Sequence, residues 1–347
     1  MNRLSEDVIA SRMLRPAAAR SVEKQKSAEI IDALRVIASV LIIWIHVPRS
    51  DAMIATTVVG RFAVPFFAFA SVFFATQNGL QKRERTVWKY ITTRFRRIYA
   101  PFVVWSGVYL AFKCVKLLVA PNQPNDFPGW EVLFVGTAYH LWFLPFIFVA
   151  SIVAFAAAKQ IPAKDARDGA VLIFLIGIIC CRVGSESWPV HDGFRYAWQT
   201  TPAVLWAFAI ALVANRTSVA QLQQLAVPIA FGLAGMSLLL LVVHGRNVVL
   251  ENVCGMSLFV WAYWKVIDRP TPRWITTFAS LSFGIYLSHM LFIKVAEAMT
   301  QKIGLVASPA LDIAVLCGAT IGSFGLCWLY GAARKACRNT RFGCMML

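Results

Sequence analysis

Ten apolar segments recur along the 347-residue chain, and they constrain its fold more than any other feature. A transmembrane helix needs roughly 20 predominantly apolar residues, and each segment approaches or exceeds this length, although the fifth is short. Only 15% of the residues are charged, whereas a soluble domain carries about 25%. We therefore predict an all-α, polytopic membrane bundle of about ten transmembrane helices. The predicted segments are 30–48, 58–76, 95–118, 138–158, 169–184, 197–214, 222–243, 248–267, 275–296 and 307–331.

The basic residues are distributed unevenly between the two sides of this bundle. The chain carries 34 Lys and Arg against 17 Asp and Glu. If both termini face the cytoplasm, 24 of the 34 basic residues lie on the inner side, which is the positive-inside pattern. The excess positive charge then reflects membrane topology and contact with anionic membrane lipid, not nucleic acid. Few cations are expected on the outer side.

This orientation predicts a multi-pass protein of the bacterial cell inner (cytoplasmic) membrane, with both termini cytoplasmic. The predicted regions are a cytoplasmic N-terminal arm (1–29), a ten-helix membrane domain (30–331) and a basic cytoplasmic tail (332–347). No secretory signal peptide is expected, because the leader is charged and no small-residue cleavage site follows the first apolar segment.

Two ionisable residues, Arg35 and His46, lie inside the first apolar segment, IIDALRVIASVLIIWIHV. Such residues at hydrocarbon depth are costly and are usually functional. Eleven helical steps amount to about three turns plus 20° and a rise of roughly 16 Å, so both side chains share one face. This stripe predicts a polar functional axis. A snorkelling arginine and a core histidine are the alternative.

An arginine pair, Arg94 and Arg97, precedes the third segment in TTRFRRIYAP. Residues three apart lie on neighbouring points of one helix face. Guanidinium groups bind phosphates bidentately, so this pair is a candidate for binding a nucleotide-bearing donor. Arginines that anchor a helix at the membrane surface are the alternative.

Three of the five histidines, His46, His140 and His289, fall at related depths in the middle and outer half of the predicted bundle. Together with the arginines at the opposite end, they predict a polar cavity, although each alone is more often a core residue. No metal site is predicted, because no two histidines show the spacing of a zinc motif on one helix. No nucleophile-elbow motif supports a serine hydrolase.

In this order, the motifs resemble acyltransferase family 3, the bacterial integral membrane O-acyltransferases of surface glycans, from residue 29 to about 331. The resemblance rests on the Arg35–His46 spacing, VPFFAFASVFF in the second segment, the arginine pair, HLWFLP and GIYLSH. One difference is Ser71, which is followed by Val72 where family members often have Ser-Gly. No acceptor preference is therefore drawn from that motif.

The resemblance implies transfer of an acyl group, most often acetyl from acetyl-CoA, to a hydroxyl of a carbohydrate such as an exopolysaccharide or lipid-linked glycan. It implies that His46 and Arg35 are catalytic and that Arg94 and Arg97 bind the donor. We expect acyl-CoA as a donor substrate and no tightly bound cofactor. The residues that we assign to substrate binding or relay are His140, Trp142 and His289.

Two other functions are compatible with the same residues. A transporter or flippase would also use intramembrane Arg and His to line its pathway, although no internal repeat is evident and the arginine cluster favours an enzyme. A catalytically inactive relative acting as a sensor is the third interpretation. The acyl chain, the acceptor and the oligomeric state are not predicted.

Overall fold

The computed structural model describes residues 17–82, 84–119, 129–162, 165–183, 191–265 and 272–339, and these residues form helices and no strands. This confirms the predicted all-α class. Ten long helices fall at the ten predicted positions, and short helices precede three of them. The long helices are α1 (Ala17–Trp44), α2 (Ala63–Gln81), α3 (87–119), α4 (Phe143–Gln160), α5 (Ala166–Arg182), α6 (Asp192–Ala214), α7 (Val227–His244), α8 (Val248–Trp264), α9 (Arg273–Lys302) and α10 (Pro309–Asn339).

The short elements lie at the entrances of the long helices. The α-helical turn Asp51–Ile54 and the 3₁₀ turn Ala55–Gly60 lead into α2. Val132–Val135 and the 3₁₀ turn Tyr139–Trp142 lead into α4. A third pair, Val219–Gln221 and the π turn Leu222–Ala226, leads into α7, and α3 contains a π turn of its own.

Seven helical stretches in the described chain are long and apolar enough to cross a membrane, so the protein is a multi-pass membrane protein. α8 is apolar but shorter, and α1 and α5 are not among the seven. The total of ten crossings and the cytoplasmic position of the termini remain predictions. The seven stretches are Asp51–Gln81, Val87–Leu118, Tyr139–Gln160, Asp192–Ala214, Leu222–His244, Trp274–Lys302 and Pro309–Ala333.

The first and last long helices, α1 and α10, extend beyond the apolar segments predicted for them. α1 begins at Ala17, so it includes part of the predicted arm, whereas residues 1–16 lie outside the described part. The added segment is rich in Ala, Glu and Lys, which favour helix without needing apolar contacts. α10 likewise continues to Asn339 in the predicted tail.

The helical region that carries Arg35 ends before His46. α1 ends at Trp44, and the His46 N–H donates to the Ile43 carbonyl oxygen in a tight turn at 3.0 Å. Pro48 follows closely, and a proline disfavours helical geometry in the residue before it. The expectation that one helix carries both Arg35 and His46 is therefore wrong.

α2 lies at the centre of the bundle, where it packs against α1, α4, α6 and α8. Its three phenylalanines Phe66, Phe69 and Phe73 are fully buried. A methyl group at Gly79 would lie 2.6 Å from the Phe155 carbonyl oxygen of α4, so glycine permits close helix approach there. Small residues have this function at many helix interfaces in membranes.

A buried carboxylate of α10 fixes the turn that follows His46. Asp312 is 3% exposed and accepts hydrogen bonds from the N–H groups of Arg49 at 3.1 Å and Ser50 at 3.2 Å, and from the Ser50 hydroxyl. The Arg49 guanidinium pairs with Glu297 of α9 at 2.8 Å. Two distant helices therefore hold the segment between α1 and α2.

Replacing Asp312 by alanine should destabilise the fold by about 1–3 kcal/mol, because two backbone N–H donors and a hydroxyl would lose their buried acceptor. We expect a lower melting temperature of the purified protein in detergent. Asp51→Ala removes a neighbouring exposed carboxylate and serves as the control. Equal melting temperatures for the two variants would contradict this role of Asp312.

Candidate active site

A cavity of 500 Å³ lies among α1, α2, α3, α4 and α9. It is lined largely by apolar side chains, but Arg35, Arg94 and Arg97 also face it. The structure thus brings together three arginines that the sequence placed in two separate motifs. We call this space the arginine cavity. Its volume falls in the range of about 300–1,000 Å³ that small-molecule sites occupy.

Arg35 is fixed by polar contacts within this cavity. Its guanidinium pairs with Asp32 at 3.0 Å and donates to the Ser282 hydroxyl of α9 at 3.0 Å. The Ser39 hydroxyl donates to the Arg35 carbonyl oxygen at 2.7 Å. These contacts neutralise part of the positive charge and join α1 to α9.

Arg94 and Arg97 lie at a π-helical turn, Phe95–Tyr99, which joins Val87–Arg94 to Ala100–Val119. The wider turn alters the angular spacing assumed from the sequence, yet both arginines face the arginine cavity. The residues FRRIY contain no sequence signal for such a turn. π turns inside α-helices are rare and frequently occur at functional sites.

The Arg94 guanidinium is anchored at one edge. Its Nε donates to the Tyr90 hydroxyl at 2.8 Å, and the group lies 5.2 Å from the Tyr90 ring centre. The Tyr90 ring stacks on Phe155 of α4 at 4.0 Å. Among the described residues, no hydrogen bond occupies the two Nη groups of Arg94. A guanidinium held by Nε with its Nη groups open is suited to bind an anion bidentately.

The three predicted histidines meet at the other end of the bundle. The rings of His46 and His289 stack with centres 5.5 Å apart, and His140 meets His289 edge to face at 4.9 Å. His140 and His289 are 3% and 0% exposed. Three helical regions that are distant in sequence therefore supply one imidazole cluster, as the related depths predicted.

The tautomer of His289 follows from its contacts. Its Nδ1 lies 2.8 Å from the Tyr286 carbonyl oxygen, and because a carbonyl only accepts hydrogen bonds, Nδ1 carries the proton. The Nε2 of His289 is buried with no hydrogen-bond partner in the described structure, whereas the His140 ring interacts with the Leu287 backbone. Unpaired buried polar groups are uncommon and indicate a place for water or substrate.

Three tyrosines that sequence analysis did not select surround the imidazoles. The Tyr139 hydroxyl lies 2.9 Å from Nδ1 of His46, and the Tyr286 hydroxyl donates to the His140 carbonyl oxygen. The Tyr109 ring meets His140 edge to face at 5.2 Å, and its hydroxyl donates to a backbone oxygen of α9. Tyr139 and Tyr286 lie in the YHLW and GIYLSH motifs, so proximity in sequence was the available signal.

A second cavity of 220 Å³, which we call the histidine cavity, holds His46, His140 and Trp142. It shares four lining residues with the arginine cavity, so the two spaces adjoin along α1 and α2. The shared residues are Ile42, Val64, Phe143 and Tyr286. Together the two cavities form a track from the arginines to the imidazoles.

The histidine cavity also contains charges that the sequence did not predict there. Arg61, Arg246 and Glu251 line it, so two arginines that belong to none of the predicted motifs lie near the imidazoles. They lie on the turn before α2, the α7–α8 connection and α8, so no single motif links them. Asn252 fixes this wall, because its amide donates to the Gln199 carbonyl oxygen at 2.8 Å and its oxygen accepts from Ala203 N–H at 3.2 Å.

This architecture defines a helical membrane protein whose two adjoining internal cavities are cationic at one end and rich in imidazoles at the other. The chain belongs to acyltransferase family 3, since the family model described as an acyltransferase domain matches residues 29–332. No solved structure matches the chain significantly.

Two curated relatives from Enterococcus are longer than this chain. An amino-acid racemase of Enterococcus faecalis is 31% identical over 166 residues, which cover 45% of this chain and 22% of the relative. A serine/alanine racemase of Enterococcus gallinarum is 24% identical over 325 residues, which cover 84% of this chain and 45% of the relative. The chain therefore spans less than half the length of either relative.

Proposed function

We propose that the protein is a membrane O-acyltransferase that moves an acyl group, most often acetyl, from acyl-CoA to a hydroxyl of a carbohydrate such as an exopolysaccharide or lipid-linked glycan. The observation that carries this proposal is the adjoining pair of cavities, with Arg35, Arg94 and Arg97 at one end and His46 at the other. Membership of the acyltransferase family supports the same chemistry.

In this proposal, the protein lies in the bacterial inner membrane and the arginine cavity faces the cytoplasm, where acyl-CoA is made. The phosphates of CoA bind Arg94 and Arg97 through charge-assisted hydrogen bonds. Arg35, fixed by Asp32 and Ser282, lies further along the track and contacts the acyl-pantetheine arm. The thioester then reaches the boundary between the two cavities.

His46 acts as the general base in the transfer step. Its Nδ1 donates to the Tyr139 oxygen, 2.9 Å away, while the Tyr139 hydroxyl donates to the Met290 sulfur at 3.5 Å. Nε2 of His46 is then free to take the proton of the acceptor hydroxyl. The acceptor oxygen attacks the thioester carbonyl carbon, the C–S bond breaks, and Nε2 returns the proton to the CoA thiolate.

His140, Trp142 and His289 are assigned to substrate binding or proton relay. The unpaired Nε2 of His289 supplies a hydrogen-bond acceptor beside His46, and the His140 ring lies next to the His289 ring. Trp142 lines the histidine cavity and packs at 5.9 Å from Tyr196, which suits it to contact a sugar ring.

Tyr139→Phe tests the orienting hydrogen bond of His46. Loss of one neutral hydrogen bond costs about 1 kcal/mol, so we expect kcat to fall roughly fivefold with an unchanged KM for acetyl-CoA. Tyr99→Phe, which removes a hydroxyl bonded only to a backbone oxygen of the Val132–Val135 turn, is the control. An unchanged kcat for Tyr139→Phe would exclude its orienting role.

The proposed function is tested by thioester consumption. The purified full-length protein in nanodiscs receives acetyl-CoA and a bacterial surface glycan preparation, and released CoA thiol is measured. Release that depends on the glycan, with a matching acetyl mass increment on it, supports the acyltransferase. Movement of glycan or solute across the membrane with no release of CoA would support the transporter instead.

A further inference from the structure

The charges of the histidine cavity are unbalanced. Arg61, Arg246 and Glu251 line the same space as His46, and Glu251 is 9% exposed. Arg246 lies at the mouth of the cavity and Arg61 is half-buried. Two guanidinium groups therefore face one carboxylate.

The single carboxylate is already engaged by one of the two arginines. Arg246 Nε lies 3.7 Å from Glu251 Oε1, and Arg246 also donates to Gln199 Oε1 at 3.0 Å. In the part of the chain that the structure describes, the Arg61 side chain has no hydrogen bond or ion pair. Glu251 acts on the Arg61 guanidinium only through space, without a hydrogen bond or close ion pair. A half-buried guanidinium without a hydrogen-bonded anion is unfavourable, because burial removes part of its hydration.

The uncompensated guanidinium lies where a substrate would meet the catalytic base. Whether Glu251 is ionised or protonated, positive charges outnumber negative charges in this cavity. Asn252 hydrogen-bonds α6 to α8 on the side of this cavity that carries Glu251. A half-buried guanidinium beside this fixed wall is suited to hold an oxyanion.

We propose that the histidine cavity takes an acceptor that carries an oxyanion, such as the carboxylate of an acidic sugar or the phosphate of a sugar phosphate. Arg61 binds the oxyanion, Arg246 contacts it from the cavity mouth, and the hydroxyl to be acylated lies against His46. This inference rests on the proposed function and specifies its acceptor class. It distinguishes this site from one built for a neutral glycan.

The test compares three probes that share hydroxyl groups and differ in charge: glucose, glucuronate and glucose 1-phosphate. Purified full-length protein is assayed with acetyl-CoA and each probe, and binding of each probe is measured separately by the quenching of tryptophan fluorescence. We expect an anionic probe to be used and bound about 10- to 100-fold better than glucose, as charge-assisted hydrogen bonds predict. Comparison of glucuronate with glucose 1-phosphate then shows whether the site prefers a carboxylate or a phosphate.

Arg61→Gln should abolish this preference by lowering the binding of the anionic probes about 10- to 100-fold, whereas Arg61→Lys should retain part of it. Arg182→Gln, at the exposed end of α5 and outside both cavities, is the matched control. Equal binding of all three probes, or anion binding that is independent of Arg61, would overturn the inference. If CoA is released equally with all three probes, the proposed acyltransferase function stands and the anionic-acceptor inference fails. If anions bind through Arg61 but no CoA is released, the anion site stands and the proposed acyltransferase function fails.

Discussion

His46→Ala is expected to lower acyl transfer by about 10²- to 10⁴-fold, because the acceptor hydroxyl loses its general base. The binding of acetyl-CoA should be unchanged, since the proposed site of the donor phosphates is the arginine cavity, whose lining does not include His46. Turnover is measured as CoA thiol release, and donor binding by isothermal titration calorimetry, both on protein purified in detergent.

The control for this variant is His244→Ala, which removes an exposed imidazole at the end of α7. Normal turnover of His46→Ala would remove His46 from the mechanism. A stable acetyl group on His46 of the wild-type protein, trapped in the absence of acceptor, would instead show that the imidazole carries the acyl group itself. These results separate a general base from a covalent acyl carrier.

Arg94→Ala should weaken acetyl-CoA binding by about 10- to 100-fold, because a charge-assisted hydrogen bond to phosphate contributes about 1.5–3 kcal/mol. Arg97→Ala should have a similar effect, since Arg97 faces the same cavity. In both variants, the rate at saturating donor should change less than the affinity. Calorimetric titration of acetyl-CoA measures the change directly.

Arg96 supplies a matched control within the same π turn. It is exposed and does not line the arginine cavity, so Arg96→Ala removes an equal charge from the same surface. We expect its donor affinity to match that of the wild type. If Arg94→Ala kept full affinity for acetyl-CoA, Arg94 would have no part in donor binding. Equal losses of affinity in Arg94→Ala, Arg97→Ala and Arg96→Ala would indicate a nonspecific electrostatic attraction and not a binding site.

The positions of the ten long helices could be predicted from the sequence because each depends on local apolarity and length. The turn at His46 and the π turn beside Arg94 could not, since both are departures from regular helix of only a few residues. Pro48 was the one local signal for the first of these, because it disfavours helix in the residue before it.

Some residues of the site were predicted from the sequence and others were not. The depths of His46, His140 and His289 suggested a shared cavity, and their rings do meet. The grouping of Arg61 with Glu251 was missed, because contacts between separate helices leave no period or spacing in the sequence. Tyr139 was passed over for a simpler reason: a tyrosine beside a predicted membrane surface is usually an interfacial residue.

The apolar boundary between the two cavities has a consequence for the cell. Three of the four residues that line both cavities are apolar: Ile42, Val64 and Phe143. The fourth is Tyr286, whose hydroxyl donates its hydrogen bond to the His140 carbonyl oxygen. Apolar constrictions of this kind exclude water and with it hydrated ions. Under the proposed function, this apolar boundary would keep the protein impermeable to ions, so that the proton gradient across its membrane is not dissipated between turnovers.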